Sequence, residues 1–600
     1  MMLQRTLYLL KTYLLTMLFF IIAKVVFMLY NSSQDFSAYD IVTVLWHGLS
    51  LDLSTSLYII IVPFLISAVS IWTGGVKAIR IILSVYYALV GIVMMLAFVA
   101  DTSLYEFWLF KLDSSCLQYL ETPTEAMASV STGYIIIRFF VIILGAIIIW
   151  WAYTHPRWNI TPSRHRIIES TIALLCIPLI IIGIRGGLGE STTNIGQVYF
   201  SQNQFLNHSA VNPVFNFIDS FDKADADYHF MSDEECNQLI DSLFNTQSID
   251  CDTLLNTQNP NIIIILLESC GGQFTEISGR SDITPNLNQL AKEGVYFTNC
   301  YANSWRTDRG TLCTWSGYPS FPTLSVMKIP AKSRSLPNMA RTLHQQRGYA
   351  THYLYGGDIN FTNMRSYLVS GGFENLTWKN DYNIEEQNTA QWGVRDDITF
   401  QTLFQLSTTM KQPFLIGYST LSSHVPWDVP IHHFDDEVLN AFYYLDQCVG
   451  DFIQKFRQSP LWDNTLVVML PDHGIVHAGL DESNQLLTHI PMIWVGGAVK
   501  EPKRIDKICN QTDLPATLLG QLGLSHDEFP FSRDVLSSTY TRPFATHTYD
   551  DGLSMVDSAS FVCYDFVSNK VIAEEGRNNE QLLTIGKAIL QAASKDFNDR

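Results

Sequence analysis

Positive charge is scarce in this sequence. Its 600 residues carry 38 Lys and Arg against 57 Asp and Glu, a formal net charge of −19. This argues against nucleic acid as a partner, because phosphate backbones are held by clustered basic side chains. Charge of either sign is sparse, at 16% of residues against 47% hydrophobic. The ten cysteines contain no Cys-x-x-Cys pair and no Cys/His ribbon spacing, so no zinc ribbon is expected and no disulfide pairing can be read. Long apolar runs are missing from the last two thirds, which read as a water-soluble α/β protein. They crowd the first third instead.

Crossing a bilayer takes about 20 mostly apolar residues as a helix. Five stretches qualify, near Leu9–Leu29, Leu53–Trp72, Ile79–Ala100, Tyr134–Trp151 and Ile167–Ile184. The first has a basic start but is followed by four more, so it is read as a retained helix rather than a signal peptide. Arg5 and Lys11 place the N-terminus inside. Lys77 and Arg80, then Arg157, Arg164 and Arg166, mark the second-to-third and fourth-to-fifth loops as inside too. The loops around Ser32–Asp40 and Asp101–Ser131 are poor in basic residues. Everything after Ile184 is then expected outside the cytoplasm. His47 and Asp52 are expected to snorkel into the headgroup zone. "SLYEFWLFKLD" (Ser103–Asp113) reads as a short interfacial helix.

The expected domains are 1–186, a multi-pass α-helical membrane domain; 187–255, a linker with short helices; and 256–600, a catalytic domain. From Asn261 the pattern alternates. "NIIIILLES" is a β-branched run of buried-strand length. "TPNLNQLAKEG" is a helix, with Thr284 as N-cap, Pro285 at the first position and Gly294 at the C-cap. Further strand and helix runs follow, so the class is α/β with a mostly parallel sheet. Ligands of such sheets bind beyond the carboxyl ends of the strands. Glu268 and the pair Asp472–His473 each follow an apolar strand run, which predicts one shared site. Two carboxylates and an imidazole suit Zn²⁺ or Mn²⁺. A nearby hydroxyl, Thr307, becomes a nucleophile when a metal lowers its pKa. Arg306 and Arg309 match the forked geometry that grips phosphate oxygens. Singly, each residue has a bland reading, as cap, turn or salt-bridge partner.

"NIIIILLES", "TPNLNQLAKEGVYFTNCYA", "SWRTDRG", "SSHVPW", "LPDHG" and "HIPMIW" together resemble the alkaline phosphatase and sulfatase superfamily. Within it the chain resembles the lipoteichoic acid synthase branch of membrane phosphotransferases, whose layout is five spans and an extracytoplasmic sulfatase-like domain in a bacterial cytoplasmic membrane. The resemblance implies that Glu268, Thr307, Asp472 and His473 hold one divalent metal, Mn²⁺ or Zn²⁺. It implies that Thr307 carries a phospho-alcohol as a covalent intermediate, and that His424 lies by the substrate phosphate. His477 and His489 are further candidates near the metal pair. The implied partners are a phospholipid donor in the membrane and an envelope glycan or lipid acceptor.

One loop departs from the branch. Where lipoteichoic acid synthases resemble F-H-G-x-x-x-x-F-W-N-R, this chain reads "LYGGDINFTNM", with Tyr355 for the histidine, Thr362 for the tryptophan and Met364 for the arginine. The expectation is therefore single transfer of a phospho-alcohol, phosphoglycerol favoured, rather than growth of a polymer. Phosphoethanolamine transfer is the alternative, then a phosphatase or sulfatase. A sulfatase needs C/S-x-P-x-R at the nucleophile, where this chain has Thr307-Asp-Arg-Gly. A degenerate scaffold is disfavoured because all four implied ligands are present.

Overall fold

The computed structural model describes residues 2–31, 36–73, 76–108, 111–112, 116, 132–155, 162–222, 227–244, 252–550 and 552–600. They form two compact units, Met1–Lys223 and Ala224–Arg600. The first is helical. Five of its helices are long and apolar enough to cross a membrane: α1 (Met2–Tyr30), α3 (Leu49–Val69), α4 (Val76–Trp108), α5 (Thr132–Thr154) and α6 (Arg166–Arg185). A shorter helix, α2 (Ala38–His47), precedes α3 and is capped by Ser37, whose hydroxyl accepts the Asp40 N–H.

Three expectations change in this unit. Asp52 does not snorkel. It is buried, and its carboxylate takes the Lys24 ammonium at 2.7 Å and the Asn212 amide at 2.8 Å. A lone buried charge is far costlier than a paired one, which explains the arrangement. His47 instead stacks on Phe200, 4.3 Å between centroids. Ser103–Trp108 continue α4 rather than forming a separate interfacial helix, and the rest of that stretch lies partly outside the described residues. Arg157 also lies outside them.

The segment read as one linker divides. α7 (Gln204–Ala210) and α8 (Pro213–Asp219) belong to the helical unit, where Asn212 both caps α8 and reaches Asp52. Tyr228 and Phe230 donate their backbone N–H groups to Ser594 and Gln591 of the second unit, and α9 (Asp233–Phe244) packs there.

The second unit is α/β. Its main sheet contains β1 (Asn261–Leu267), β2 (Val295–Tyr301), β3 (Ala350–Tyr355), β4 (Asn375–Trp378), β5 (Phe414–Ser419), β6 (Thr465–Pro471), β7 (His489–Val495), β8 (Lys503–Ile505) and β9 (Cys509–Asn510). The order is β4-β3-β5-β1-β6-β7-β2-β8, with β9 also on β2. Only β7 runs against its neighbours. β1 is buried along its whole length, between two apolar layers, as its continuous Ile/Leu run dictates. A second, four-stranded antiparallel sheet follows, β10 (Phe544–Tyr549) to β13 (Lys570–Gly576) through β11 (Gly552–Asp557) and β12 (Ser560–Asp565).

The helix α10 (Pro285–Glu293) starts as expected but is capped differently. The Thr284 hydroxyl donates to the Phe274 carbonyl, and the buried Asp446 carboxylate accepts the N–H groups of Asn286 and Leu287. Gly294 has extended backbone; a Cβ there would lie 2.3 Å from the Trp494 carbonyl oxygen, so close approach rather than handedness requires the glycine.

Candidate active site

β1 and β6 are parallel neighbours in register, Leu267 opposite Pro471, so their carboxyl ends open side by side. Glu268 and Asp472 are the next residues on each strand, and His473 follows. One ligating atom from each lies within 4.8 Å of the others, and all three residues are buried. This is the shared site that the strand-end positions predict.

Local backbone fixes the cluster. Ser269 adopts a left-handed conformation, φ 59°, which turns its N–H onto Asp472 Oδ1 at 2.8 Å while its hydroxyl donates to Glu268 Oε1 at 2.8 Å. The His473 N–H also donates to Asp472 Oδ1. The His473 ring donates Nδ1–H to the Gly474 carbonyl at 2.9 Å, which leaves the Nε2 lone pair facing inward, 3.5 Å from Asp472 Oδ2 and 3.7 Å from Glu268 Oε1.

α11 (Thr307–Ser316) supplies the hydroxyl. Thr307 is its first residue, and Oγ1 lies 3.1 Å from Glu268 Oε2 and 3.5 Å from His473 Nε2. The helix N-terminus favours negative charge there. Gly310, one turn on, sets the approach: a Cβ would lie 2.2 Å from the Asp472 carbonyl oxygen. No other side chain permits this contact between α11 and the end of β6.

Electrostatically the cluster is loaded for a cation. Burial first, then Glu268, pushes the Asp472 carboxyl up to about 7. For His473, burial lowers the pKa, but the Asp472 and Glu268 charges outweigh it and the net direction is up. Asp472 Oδ2 is buried without a hydrogen-bond partner. An orphaned carboxylate oxygen, a second carboxylate and an inward imidazole lone pair together fit a divalent metal better than they fit one another.

The other candidates fall in different places. Arg306 is exposed and lies over the Trp305 ring, 4.4 Å from its centroid. Arg309 is buried, and its guanidinium donates to the carbonyls of Phe321 (3.2 Å) and Pro322 (3.4 Å). It fastens the chain after α11 to the helix, a structural task rather than a grip on phosphate. His424 follows β5 on the same sheet edge. Its neighbour Ser423 donates to the Glu268 carbonyl, which ties this loop to the cluster. His477 pairs with Asp436 at 3.0 Å, and His489 bonds the Thr298 carbonyl and stacks on Tyr301. Both are therefore bonded away from the cluster, and burial lowers the His489 pKa.

Two contributors carry no sequence signal for their roles. Asp396 accepts the N–H groups of Leu421 (2.8 Å) and Ser422 (3.0 Å) and so holds the loop that carries Ser423 and His424. Tyr355, notable in the sequence only as a replaced histidine, ends β3, two strands from the one that leads to Glu268. Burial, then the Glu268 charge, raises its phenol well above the usual value, so it is a neutral donor at neutral pH.

Known proteins resemble this chain in sequence and fold. Residues 260–524 match the sulfatase family. Lipoteichoic acid synthase 2 of Bacillus subtilis is 26% identical over 317 residues, 47% of this chain and 48% of the relative. Phosphoglycerol transferase I of Xanthomonas campestris is 24% identical over 310 residues, 46% and 43% respectively. An alkaline phosphatase superfamily protein from Vibrio parahaemolyticus superposes with TM-score 0.54 at 26% identity, covering 62% of this chain and 98% of that one. The chain spans about half the length of the curated relatives it matches. The second unit thus carries the segment that matches the sulfatase family. The chain, with five helices long and apolar enough to cross a membrane, is similar to lipoteichoic acid synthases and phosphoglycerol transferases.

Proposed function

We propose that the protein is a phosphotransferase that moves a phospho-alcohol, phosphoglycerol in the favoured case, from a membrane phospholipid to an envelope acceptor. The observation that carries this reading is the Thr307 hydroxyl at a helix N-terminus, 3.1 Å from Glu268 and 3.5 Å from His473. Glu268, Asp472, His473 and Thr307 are the residues to hold one Mn²⁺ or Zn²⁺. Such a metal supplies Lewis-acid charge neutralisation and a lowered hydroxyl pKa.

The chain's own groups divide the work as follows. Glu268 Oε2 accepts the Thr307 proton as Oγ1 attacks phosphorus. The bond from phosphorus to the diacylglycerol oxygen breaks, and that oxygen leaves as diacylglycerol with the proton that Glu268 has taken. Thr307 then carries the phospho-alcohol as a diester. An acceptor hydroxyl attacks the same phosphorus and gives its proton to Glu268, the bond to Thr307 Oγ1 breaks, and Oγ1 regains that proton. His424 and exposed Arg306 face the phosphate oxygens. The five spans and the basic residues of their short loops support a cytoplasmic-membrane protein with the sulfatase-family unit outside.

The test uses full-length protein in detergent with Mn²⁺ or Zn²⁺ and phosphatidylglycerol or phosphatidylethanolamine bearing a fluorescent acyl tail. Chromatography reads labelled diacylglycerol. Release from phosphatidylglycerol supports the favoured donor, and release from phosphatidylethanolamine moves the assignment to that headgroup. No release from either lipid, with metal bound, rejects the transferase reading.

A further inference from the structure

The edge of the sheet beyond β3 and β5 carries, beside His424, aromatic residues that this chemistry does not use. Strand register sets Tyr355 opposite Ser419, and Ser419 opposite Leu266, two residues before Glu268. Tyr355 is thus in line with the cluster, two strands away. Its ring folds over Gly357, where a Cβ would lie 2.8 Å from the phenol oxygen. Among the described residues that hydroxyl has no hydrogen-bond partner.

A second segment reaches the same place. Ala390 and Gly393 exchange backbone hydrogen bonds in a tight turn, and the Val394 N–H donates to the Gly356 carbonyl at 3.0 Å. Gly393, with φ 149°, permits this: a Cβ would lie 2.2 Å from the Gly356 oxygen. The turn pins Trp392 beside the residue that follows Tyr355. The indole N–H donates to the Val425 carbonyl, which also accepts from His424 Nδ1 at 2.8 Å. The Trp392 and His424 rings meet edge to face at 5.0 Å, and Phe361 meets Trp392 at 6.5 Å. Phe361 is 47% exposed and Val425 51%.

We propose that Phe361, Trp392 and His424 form a shelf that binds a sugar ring of the acceptor, with the Tyr355 hydroxyl as its inner polar anchor. This rests on the transferase reading and assigns its acceptor to carbohydrate. A pyranose has C–H bonds on its faces and hydroxyls around its rim. It fits aromatic rings flanked by a few fixed polar groups. An acyl chain needs a continuous apolar groove, whereas Asn360, Thr362 and Gln391 interrupt this surface with amides and a hydroxyl. The indole is held by its N–H, so its orientation is set before a ligand arrives, which lowers the ordering cost of binding.

Saturation-transfer NMR on the full-length protein in detergent tests this, with short gluco- and N-acetylglucosamine oligosaccharides as probes. The wild type transfers saturation to sugar ring protons. Trp392→Ala and Phe361→Ala each weaken binding about tenfold, as loss of one aromatic anchor does, and Trp392→Phe restores most of it. Phe361 is exposed enough that its variant folds even if Trp392→Ala does not. Absence of binding by the wild type overturns the proposal, as does binding unchanged in both alanine variants. Trp392-dependent saturation of phospholipid acyl protons without any sugar signal overturns it in favour of a lipid groove. The measurement needs no turnover, so the diacylglycerol assay judges the transferase reading separately.

Discussion

Gly310→Ala adds one methyl group at the point where α11 meets the end of β6. That methyl would lie 2.2 Å from the Asp472 carbonyl oxygen, 2.8 Å from its carbon and 3.0 Å from its Cα. All three atoms are backbone, at the end of a strand bonded on both sides, so they cannot swing away as a side-chain tip would. Ordinary contact requires about 1 Å of retreat, and the helix is the part able to move. Thr307 is one turn away on that helix and moves with it, carrying Oγ1 from its 3.1 Å contact with Glu268. Overpacking of this kind costs about 1–3 kcal/mol of stability. The loss in turnover is larger, because a misplacement of about 1 Å at a reacting atom costs on the order of 10²-fold. The assay is diacylglycerol release alongside metal content and thermal unfolding. The expected pattern is retained metal, a modest fall in melting temperature and a roughly hundredfold slower rate. A wild-type rate in Gly310→Ala would refute the claim that this contact sets the nucleophile.

Thr307→Ala should lower turnover by roughly 10³-fold or more with metal content kept, while Thr307→Ser retains measurable activity; alanine at the wild-type rate ends the covalent mechanism. Glu268→Gln and Asp472→Asn should lose bound metal by elemental analysis and lose the thermal stabilisation that added Mn²⁺ or Zn²⁺ gives the wild type. Lys24→Met leaves the buried Asp52 carboxylate unpaired and should cost about 3–5 kcal/mol, seen as early unfolding in detergent, with Lys24→Met/Asp52→Leu recovering much of it. Burial raises the Asp446 carboxyl from 3.8 to about 6. The folded state then holds this proton more tightly than the unfolded chain, so the contribution is favourable below about pH 4 and is lost as pH rises to about 6. The melting temperature of the wild type relative to Asp446→Asn should therefore fall across that window, and a constant difference would contradict it.

The legible parts of this sequence are those written in hydrophobic periodicity. A helix that must satisfy its backbone inside lipid needs about 20 apolar residues, so all five long apolar helices stand out as unbroken runs along the chain. A strand covered on both faces must be apolar at every position, so β1 is visible as "NIIIILL". Strand ends then locate Glu268 and Asp472, because a parallel sheet opens its site at its carboxyl edge. What periodicity cannot carry is contact between distant segments. Asp446 replaces Thr284 as the donor-satisfying cap of α10 from 160 residues away, and nothing near Thr284 announces it. Ser423 supports Glu268 across 155 positions. The antiparallel β10–β13 sheet leaves a weak trace for a different reason: its outer strands do not alternate in burial, β10 being almost wholly buried and β13 almost wholly exposed.

Arg309 shows why residue type misleads at such a site. An arginine beside a nucleophile has the chemistry to grip phosphate, and "SWRTDRG" offers two. Burial separates them. Arg306 precedes the first turn and stays exposed, where an anion at the helix N-terminus can meet it. Arg309 lies two residues beyond Thr307, about 200° around the helix axis, and its guanidinium lies over the same Trp305 ring as that of Arg306, 5.0 Å from the centroid. There it is buried, and a buried guanidinium must have its N–H groups bonded. The carbonyls of Phe321 and Pro322 meet that need. Arg309→Lys, which cannot reproduce the fork, should thus lower the melting temperature, whereas Arg306→Ala should leave stability unchanged and weaken donor turnover through KM. Equal effects of the two substitutions on KM, with no difference in stability, would show that the helical division of labour is wrong.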